Sequence, residues 1–339
     1  MKTTQVRNKT MRRQRLQVVA RIPWLLMGVL ALAWGGTLPA QAAQTLTQLK
    51  IVYPTGAVAT FGLVWIAKEA GLLSREGIEA ELVAISGSSK IVQVLVAGEA
   101  GLAHAGGPPF ITANLNGADT VIIAAASNRP IGLSVMALPE IKSMKDLKGK
   151  SIGVTRFGSS TDFFTRSLLP HFGLQPDRDV AVMQMGGMPE IFAGLTSKGI
   201  AAGILSLPLN LRARDMGYTE LTNSAEAGVV YPQAVVGTTR AFIAKNEALL
   251  HRFTKAFAEA IKVAKTDAPL SQKVIARYTR TTDPALLREM YREWSRNIES
   301  NPRPSLESIK TALDTTMDPK AKQADPRQFV DFRFVDALK

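Results

Sequence analysis

The sequence predicts an α/β protein made of two doubly wound, mostly parallel sheets. Three observations lead there. Ile66 to Leu82 reads as a helix stopped by Gly71, a turn holding Gly77, and an alternating strand. Strands and helices then alternate at a steady rhythm. That rhythm starts afresh near Leu147-Lys148-Gly149-Lys150-Ser151-Ile152-Gly153-Val154.

The elements follow in order. Gln48 to Tyr53 alternates as a first strand and ends at Pro54-Thr55-Gly56. Phe61, Val64, Trp65 and Lys68 suit an amphipathic helix. Glu79 to Ile85 is a second strand, followed by Ser86-Gly87-Ser88-Ser89 and a helix with Ile91, Val94 and Leu95 on one face. Gly101 to His104 is a short third strand, which Gly106-Gly107-Pro108-Pro109 turns into a helix. Val121 to Ala126 is apolar throughout, the pattern of a buried parallel strand.

After the restart, Gly158-Ser159-Ser160-Thr161 opens a helix reaching His171. Val180 to Gln184 and Ala202 to Leu205 are strands, and Met188 to Lys198 and Pro208 to Met216 are helices. Tyr218 to Leu221 is an edge strand. Ala234 to Thr238 carries the chain back to its first half, and the rest is helical: 247–266, 271–280, 284–297 and 305–317. Domain bounds follow: a leader over 1–42, a first lobe from 43–129 with 234–339, and a second lobe over 130–233.

The chain has 339 residues and a formal charge of +13. Seven of its 41 basic residues fall in residues 1–42, which hold no acidic one, leaving 34 against 28, or +6. The remainder is too mildly basic, and too poor in aromatic–basic stacking platforms, to predict a nucleic-acid partner. Residues 1–42 have a basic start, an apolar run from Ile22 to Leu38 and a small-residue site at Ala40-Gln41-Ala42. They read as a secretory signal cleaved after Ala42, giving a periplasmic product. Ile22 to Ala40 holds 19 uncharged residues, and Gly35, Gly36 and Pro39 weaken it as a membrane anchor. Arg12-Arg13-Gln14-Arg15-Leu16 lacks the aromatic of a twin-arginine signal and leaves the export route open.

There is no cysteine, which removes disulfides, thiolate metal sites and a cysteine nucleophile. His104, His171 and His251 lack metal-ligand spacing. Gly149-Lys150-Ser151 ends like a phosphate-binding loop, but Met144 stands where the first glycine belongs. No Gly-x-Ser-x-Gly elbow or dinucleotide fingerprint occurs. An enzyme is therefore not expected, nor a cofactor.

Ligands of doubly wound sheets bind at the carboxyl ends of strands, where helix N-termini hold anions. The strand-end candidates are Thr55, Ser86, Ser88, Ser89, Gly107, Pro108 and Asn128 in the first half. In the second they are Arg156, Ser159, Ser160, Thr161, Met188 and Ser206. The hydroxyls serve equally as helix caps. Arg156 and Arg129 suit a carboxylate or sulfonate or a solvated surface. His104, Phe110, Phe157 and Phe163 suit a ligand wall or the core.

Three blocks carry a resemblance: Ala67 to Leu82; Leu95-Val96-Ala97-Gly98-Glu99 with Gly107-Pro108-Pro109; and Met144 to Val154. In order and spacing they resemble the nitrate/sulfonate/taurine group of periplasmic solute-binding proteins of ABC importers, which includes pyrimidine-precursor binders. The likeness covers residues 48–265. It implies a two-lobed type II periplasmic binding fold with a helical C-terminal region and hinge closure on a small, anionic organic solute. It also implies a monomer that meets an importer permease. Members of the group often carry an acidic residue near Ala202 and an acidic or aromatic residue before the proline at Pro208. Here Ala201-Ala202-Gly203 and Ser206-Leu207 stand instead, which leaves the ligand open. A sensing module for a membrane partner and a pyrimidine-precursor enzyme are the other readings.

Overall fold

Ten strands build two five-stranded sheets in the computed structural model, which describes residues 46–56, 58–316 and 318–338. The expected leader and its cleavage point after Ala42 lie outside the described residues. The strands are β1 (Thr47–Pro54), β2 (Ile78–Ile85), β3 (Leu102–Ala105), β4 (Thr120–Ser127), β5 (Leu133–Ala137), β6 (Lys150–Val154), β7 (Val180–Gln184), β8 (Ala202–Ser206), β9 (Thr219–Asn223) and β10 (Ala234–Thr239). The first sheet has the order β2-β1-β3-β10-β4 and the second β7-β6-β8-β5-β9.

Each sheet contains one reversed strand. β10 is antiparallel to β3 and β4, and β5 is antiparallel to β8 and β9. The remaining pairings, β1 with β2 and β3 and β6 with β7 and β8, are parallel. The chain leaves the first sheet after β4 and enters the second as its reversed strand β5. It leaves after β9 and returns as β10. Two connecting segments thus run between the lobes, and Gln233 laces them together. Its Oε1 accepts from Ile131 N–H, and its Nε2 donates to Ile131 O at 3.5 Å.

The helices form where the sequence supplies starts and stops. Leu63–Glu69 ends before Gly71, whose φ of 68° is the left-handed region that favours glycine. Pro284–Asn297 begins at Asp283, which accepts from Ala285 N–H at 2.8 Å. Its buried face carries Met290 and Trp294. The Phe110 ring packs against Gly237, where a Cβ would come within 2.2 Å of it.

Two expectations are corrected. The apolar run at Val121–Ala126 is an edge strand whose neighbour β10 is antiparallel, not a strand paired in parallel. It is nevertheless wholly buried, because the C-terminal chain covers its free edge. Ala125 N–H donates to Pro302 O at 2.7 Å, Glu299 N–H to Ala126 O at 2.8 Å, and Asp331 N–H to Ile122 O at 2.9 Å. Covering an edge in this way removes a row of unpaired backbone groups. In addition, β5 is a strand that the sequence rhythm passes over.

Candidate ligand-binding cleft

The carboxyl ends of the two sheets' strands face one another across a cleft. Three nine-residue helices begin there: Ser88–Val96, Ser160–Leu168 and Met188–Thr196. Their first-turn N–H groups lack partners within the helix, and their N-terminal ends carry partial positive charge. The cavity between them is lined by Pro54, Thr55, Thr60, Phe61, Gly87, Ser88, Leu133, Thr155, Ser160, Thr161, Met188, Ser206 and Gln233. No acidic or basic side chain appears in that lining. The cavity measures about 30 Å³, room for a water or two.

The small volume follows from how closely the lobes meet. Ser88 Oγ lies 3.3 Å from Ser160 Oγ and accepts from Gly106 N–H at 3.3 Å. Arg156 Nε donates to Ser86 O at 2.9 Å, and its stem lies against Gly87, where a Cβ would be 2.9 Å from the Arg156 side chain. A Cβ on Gly187 would be 3.0 Å from Ser86 Oγ, and one on Gly56 3.2 Å from Met188 Cβ. At Gly87 and Gly56 the nearest neighbour of that Cβ is a side chain of the opposite lobe, and at Gly187 Glu190 of the same helix comes nearer still, at 2.7 Å.

At the cavity wall, Thr155 Oγ1 lies 2.8 Å from both Ser159 Oγ and Thr161 Oγ1, and those two are 3.0 Å apart. Thr155 N–H donates to Thr161 Oγ1 at 2.9 Å. This buried triangle fixes the hydroxyls that open the helix. Tyr231 donates from its hydroxyl to Ser160 O at 3.3 Å. Complete burial raises the Tyr231 pKa, so it stays a neutral donor. Ser206 Oγ is buried with no hydrogen-bond partner among the described residues, on the cavity wall.

The thirteen residues named from the sequence fall into three groups. Thr55, Ser88, Ser160, Thr161, Met188 and Ser206 line the cavity. Ser86, Arg156 and Ser159 bond to that lining or close its rim: Ser86 Oγ is 3.1 Å from Thr55 Oγ1. The other four stand apart. Gly107 and Pro108 are buried, and Gly107 N–H donates to Pro232 O at 2.8 Å. Ser89 is half-buried in the first turn of its helix, outside the lining. Asn128 serves the C-terminal segment: Nδ2 donates to Arg303 O at 3.0 Å and Oδ1 accepts from Ser305 N–H at 2.7 Å.

Seven lining residues stand outside those thirteen: Pro54, Thr60, Phe61, Gly87, Leu133, Thr155 and Gln233. Thr155 and Pro54 end strands like the residues that were named, so that signal could have found them. Gln233 sits in a connecting segment, with no local pattern to mark it.

His104 is a core residue. Nδ1 lies 3.0 Å from Val235 O, and the Phe61 and Phe257 rings meet the imidazole edge-on at 5.1 and 5.4 Å. Burial lowers its pKa to about 4 despite the Val235 carbonyl. Phe110 is buried, and Phe157 is 51% exposed. Phe163 packs edge-on against Tyr231 at 5.1 Å. Another groove, about 930 Å³, lies along the helix Arg240–Thr266, lined by His251, Arg252, Lys255, Lys262 and Phe334 among others.

A family profile described as NMT1/THI5 like matches residues 59–268. A Brucella abortus protein, named provisionally as a binding protein, is 33% identical over 186 residues. That match spans about half the length of the relative and of this chain, 54% of each. Among solved structures, one from Bordetella bronchiseptica superposes with a TM-score of 0.76 at 21% identity, over 86% of this chain and 96% of that one. The alkanesulfonate-binding protein of Xanthomonas axonopodis pv. citri, bound to MOPS, gives 0.69 at 18% identity, covering 86% and 97%. The periplasmic nitrate-binding protein of Synechocystis gives 0.61 at 15% identity, covering 70% and 68%. At these identities the likeness is one of fold: the two-lobed periplasmic binding fold.

Proposed function

The chain belongs to the NMT1/THI5 like family, and from that premise we propose that it is an extracytoplasmic solute-binding receptor. It captures a small anionic organic solute, sulfonate- or carboxylate-like, by hinge closure and delivers it to an ABC importer. The observation that carries this reading is the convergence of hydroxyls and three helix N-termini on one cavity free of charged side chains.

Neutral donors suit an anion that must be released again. Helix N–H groups and hydroxyls stabilise negative charge without a buried cation, which would need its own partner in the empty cleft. Ser206, with an unused hydroxyl, and Ser160 and Thr161, at a helix start, are the donors we assign to the anionic head. Pro54, Phe61, Leu133 and Met188 supply an apolar wall for the organic part. An organic solute exceeds the space present, so the lobes part to admit it and close over it. The fold neighbours that bind an alkanesulfonate and nitrate support this ligand class.

We infer export by the leader, with the mature chain beginning at Ala43. No helix among the described residues is long and apolar enough to cross a membrane. A thermal-shift screen of the mature chain with nitrate, methanesulfonate, taurine, small carboxylates and pyrimidines tests the proposal. A ligand at a hundred times its Kd stabilises by about 2.7 kcal/mol, and the anionic compounds are expected to raise the melting temperature. Stabilisation by pyrimidines alone would refute the anionic assignment.

A further inference from the structure

The cleft offers an anion several donors and offers a cation almost nothing. Three helices begin there with the partial positive charge of their N-termini. Ser206 Oγ, on the wall of a residue only 1% exposed, has no hydrogen-bond partner among the described residues. Two carboxylates stand in the first turns of these helices, and neither belongs to the lining. Asp162 is buried and accepts from Gly158 N–H at 2.8 Å and Arg166 Nε at 2.7 Å. Glu190 is exposed, with Oε2 2.7 Å from where a Gly187 Cβ would stand at the start of its own helix.

Acceptors around the cavity are engaged by the protein's own donors. Gln233 Oε1 takes Ile131 N–H, and Ser88 Oγ takes Gly106 N–H at 3.3 Å. Ser86 O takes Arg156 Nε at 2.9 Å, and Ser160 O takes the Tyr231 hydroxyl at 3.3 Å. Pro54, Phe61, Leu133 and Met188 leave the rest of the wall apolar. An ammonium group enclosed here would lose its hydration and gain no counter-charge, beside the positive ends of three helices. An unpaired buried ion is among the heaviest penalties in binding. We propose that the cleft excludes zwitterions: its solute is an organic anion whose tail carries no positive charge. An alkanesulfonate or a simple carboxylate is captured, and its amino counterpart is not. The proposal rests on reading the cleft as the site of an anion.

Pairs of compounds that differ by one amine test this by calorimetric titration of the mature protein: ethanesulfonate against taurine, and propionate against β-alanine. At neutral pH the amine should weaken binding at least about a hundredfold within each pair. Raising the pH neutralises the amine, so the affinity for taurine should rise about tenfold per pH unit while the ammonium form predominates. The affinity for ethanesulfonate should stay level over the same range. Met188→Glu places a carboxylate on the apolar wall at a helix start, where negative charge is tolerated. It should narrow the gap between ethanesulfonate and taurine at least about tenfold, and the uncharged Met188→Gln should leave the gap as it was. Taurine bound within about threefold of ethanesulfonate by the wild type would overturn the proposal. So would a taurine affinity independent of pH, the mark of exclusion by size, or an unchanged gap in a folded Met188→Glu protein. Failure of ethanesulfonate and propionate alike to bind would instead overturn the anionic reading on which the proposal rests.

Discussion

A Cβ built on Gly106 would lie 1.6 Å from Ser160 Oγ, across the cleft. Gly106 has φ −67° and ψ 146°, an extended conformation open to any residue. Its own backbone therefore does not require glycine; the closed cleft does. Gly106→Ala should fold with nearly wild-type stability yet fail to close, weakening the tightest-binding compound of the screen at least about tenfold. Adding Ser160→Gly should restore closure, as read by small-angle scattering of the liganded protein, without restoring the lost hydroxyl. A Gly106→Ala protein with wild-type affinity would show that closure as seen is not needed for capture.

Ser160 lines the cavity, whereas Ser159 stays outside the lining and bonds to Thr155 and Thr161 behind it. The hydroxyls should therefore separate. Hydrogen bonds to charged groups contribute about 1.5–3 kcal/mol, so Ser160→Ala should lose roughly tenfold or more in affinity. Ser159→Ala should act mainly on stability. Calorimetric titration beside denaturant unfolding measures both, and an affinity loss for Ser159→Ala equal to that of Ser160→Ala would contradict the division.

Asn128 makes two hydrogen bonds to the C-terminal segment that covers β4. Asn128 is half-buried, so Asn128→Ala should cost about 0.5–1.5 kcal/mol for each hydrogen bond lost. The expected result is a lower urea midpoint with unchanged affinity. A weakened affinity at full stability would return Asn128 to the site.

His104 titrates at about 4 in the fold, below the 6.5 of a free imidazole. Between those values the unfolded chain binds the proton and the folded chain does not. The stability contributed by the neutral imidazole is complete above pH 6.5 and is lost as pH falls towards 4, by an amount on the order of 3 kcal/mol. His104→Phe should flatten the pH dependence of the urea midpoint in that window. An equal slope in both proteins would rule out His104 as its source.

The sequence carried the local elements well and the non-local ones poorly. Val180–Gln184 and Pro284–Asn297 have the bounds expected, because alternation, Asp283 and a proline at the first helical turn are local signals. β5 was missed because its five buried residues follow no helix of their own; the strand arrives from the other lobe. Composition at β4 reported burial, but its free edge is covered by backbone bonds to Pro302, Glu299 and Asp331, far along the chain. The same limit applies to the site. Asn128 ends a strand as Thr155 does, and only the C-terminal segment and the opposing lobe decide that one bonds to a loop and the other lines a cavity.

The central claim is that an anionic solute is held between the lobes at this cavity. A crystal structure of the mature protein with the best anionic compound of the screen tests it most directly. The predicted result is an anionic head within hydrogen-bond distance, about 2.7–3.2 Å, of Ser160, Thr161 and Ser206, with Phe61 and Met188 against the organic part. Density for the compound in the outer groove beside Lys255 and Lys262, with the cleft cavity unchanged, would contradict it.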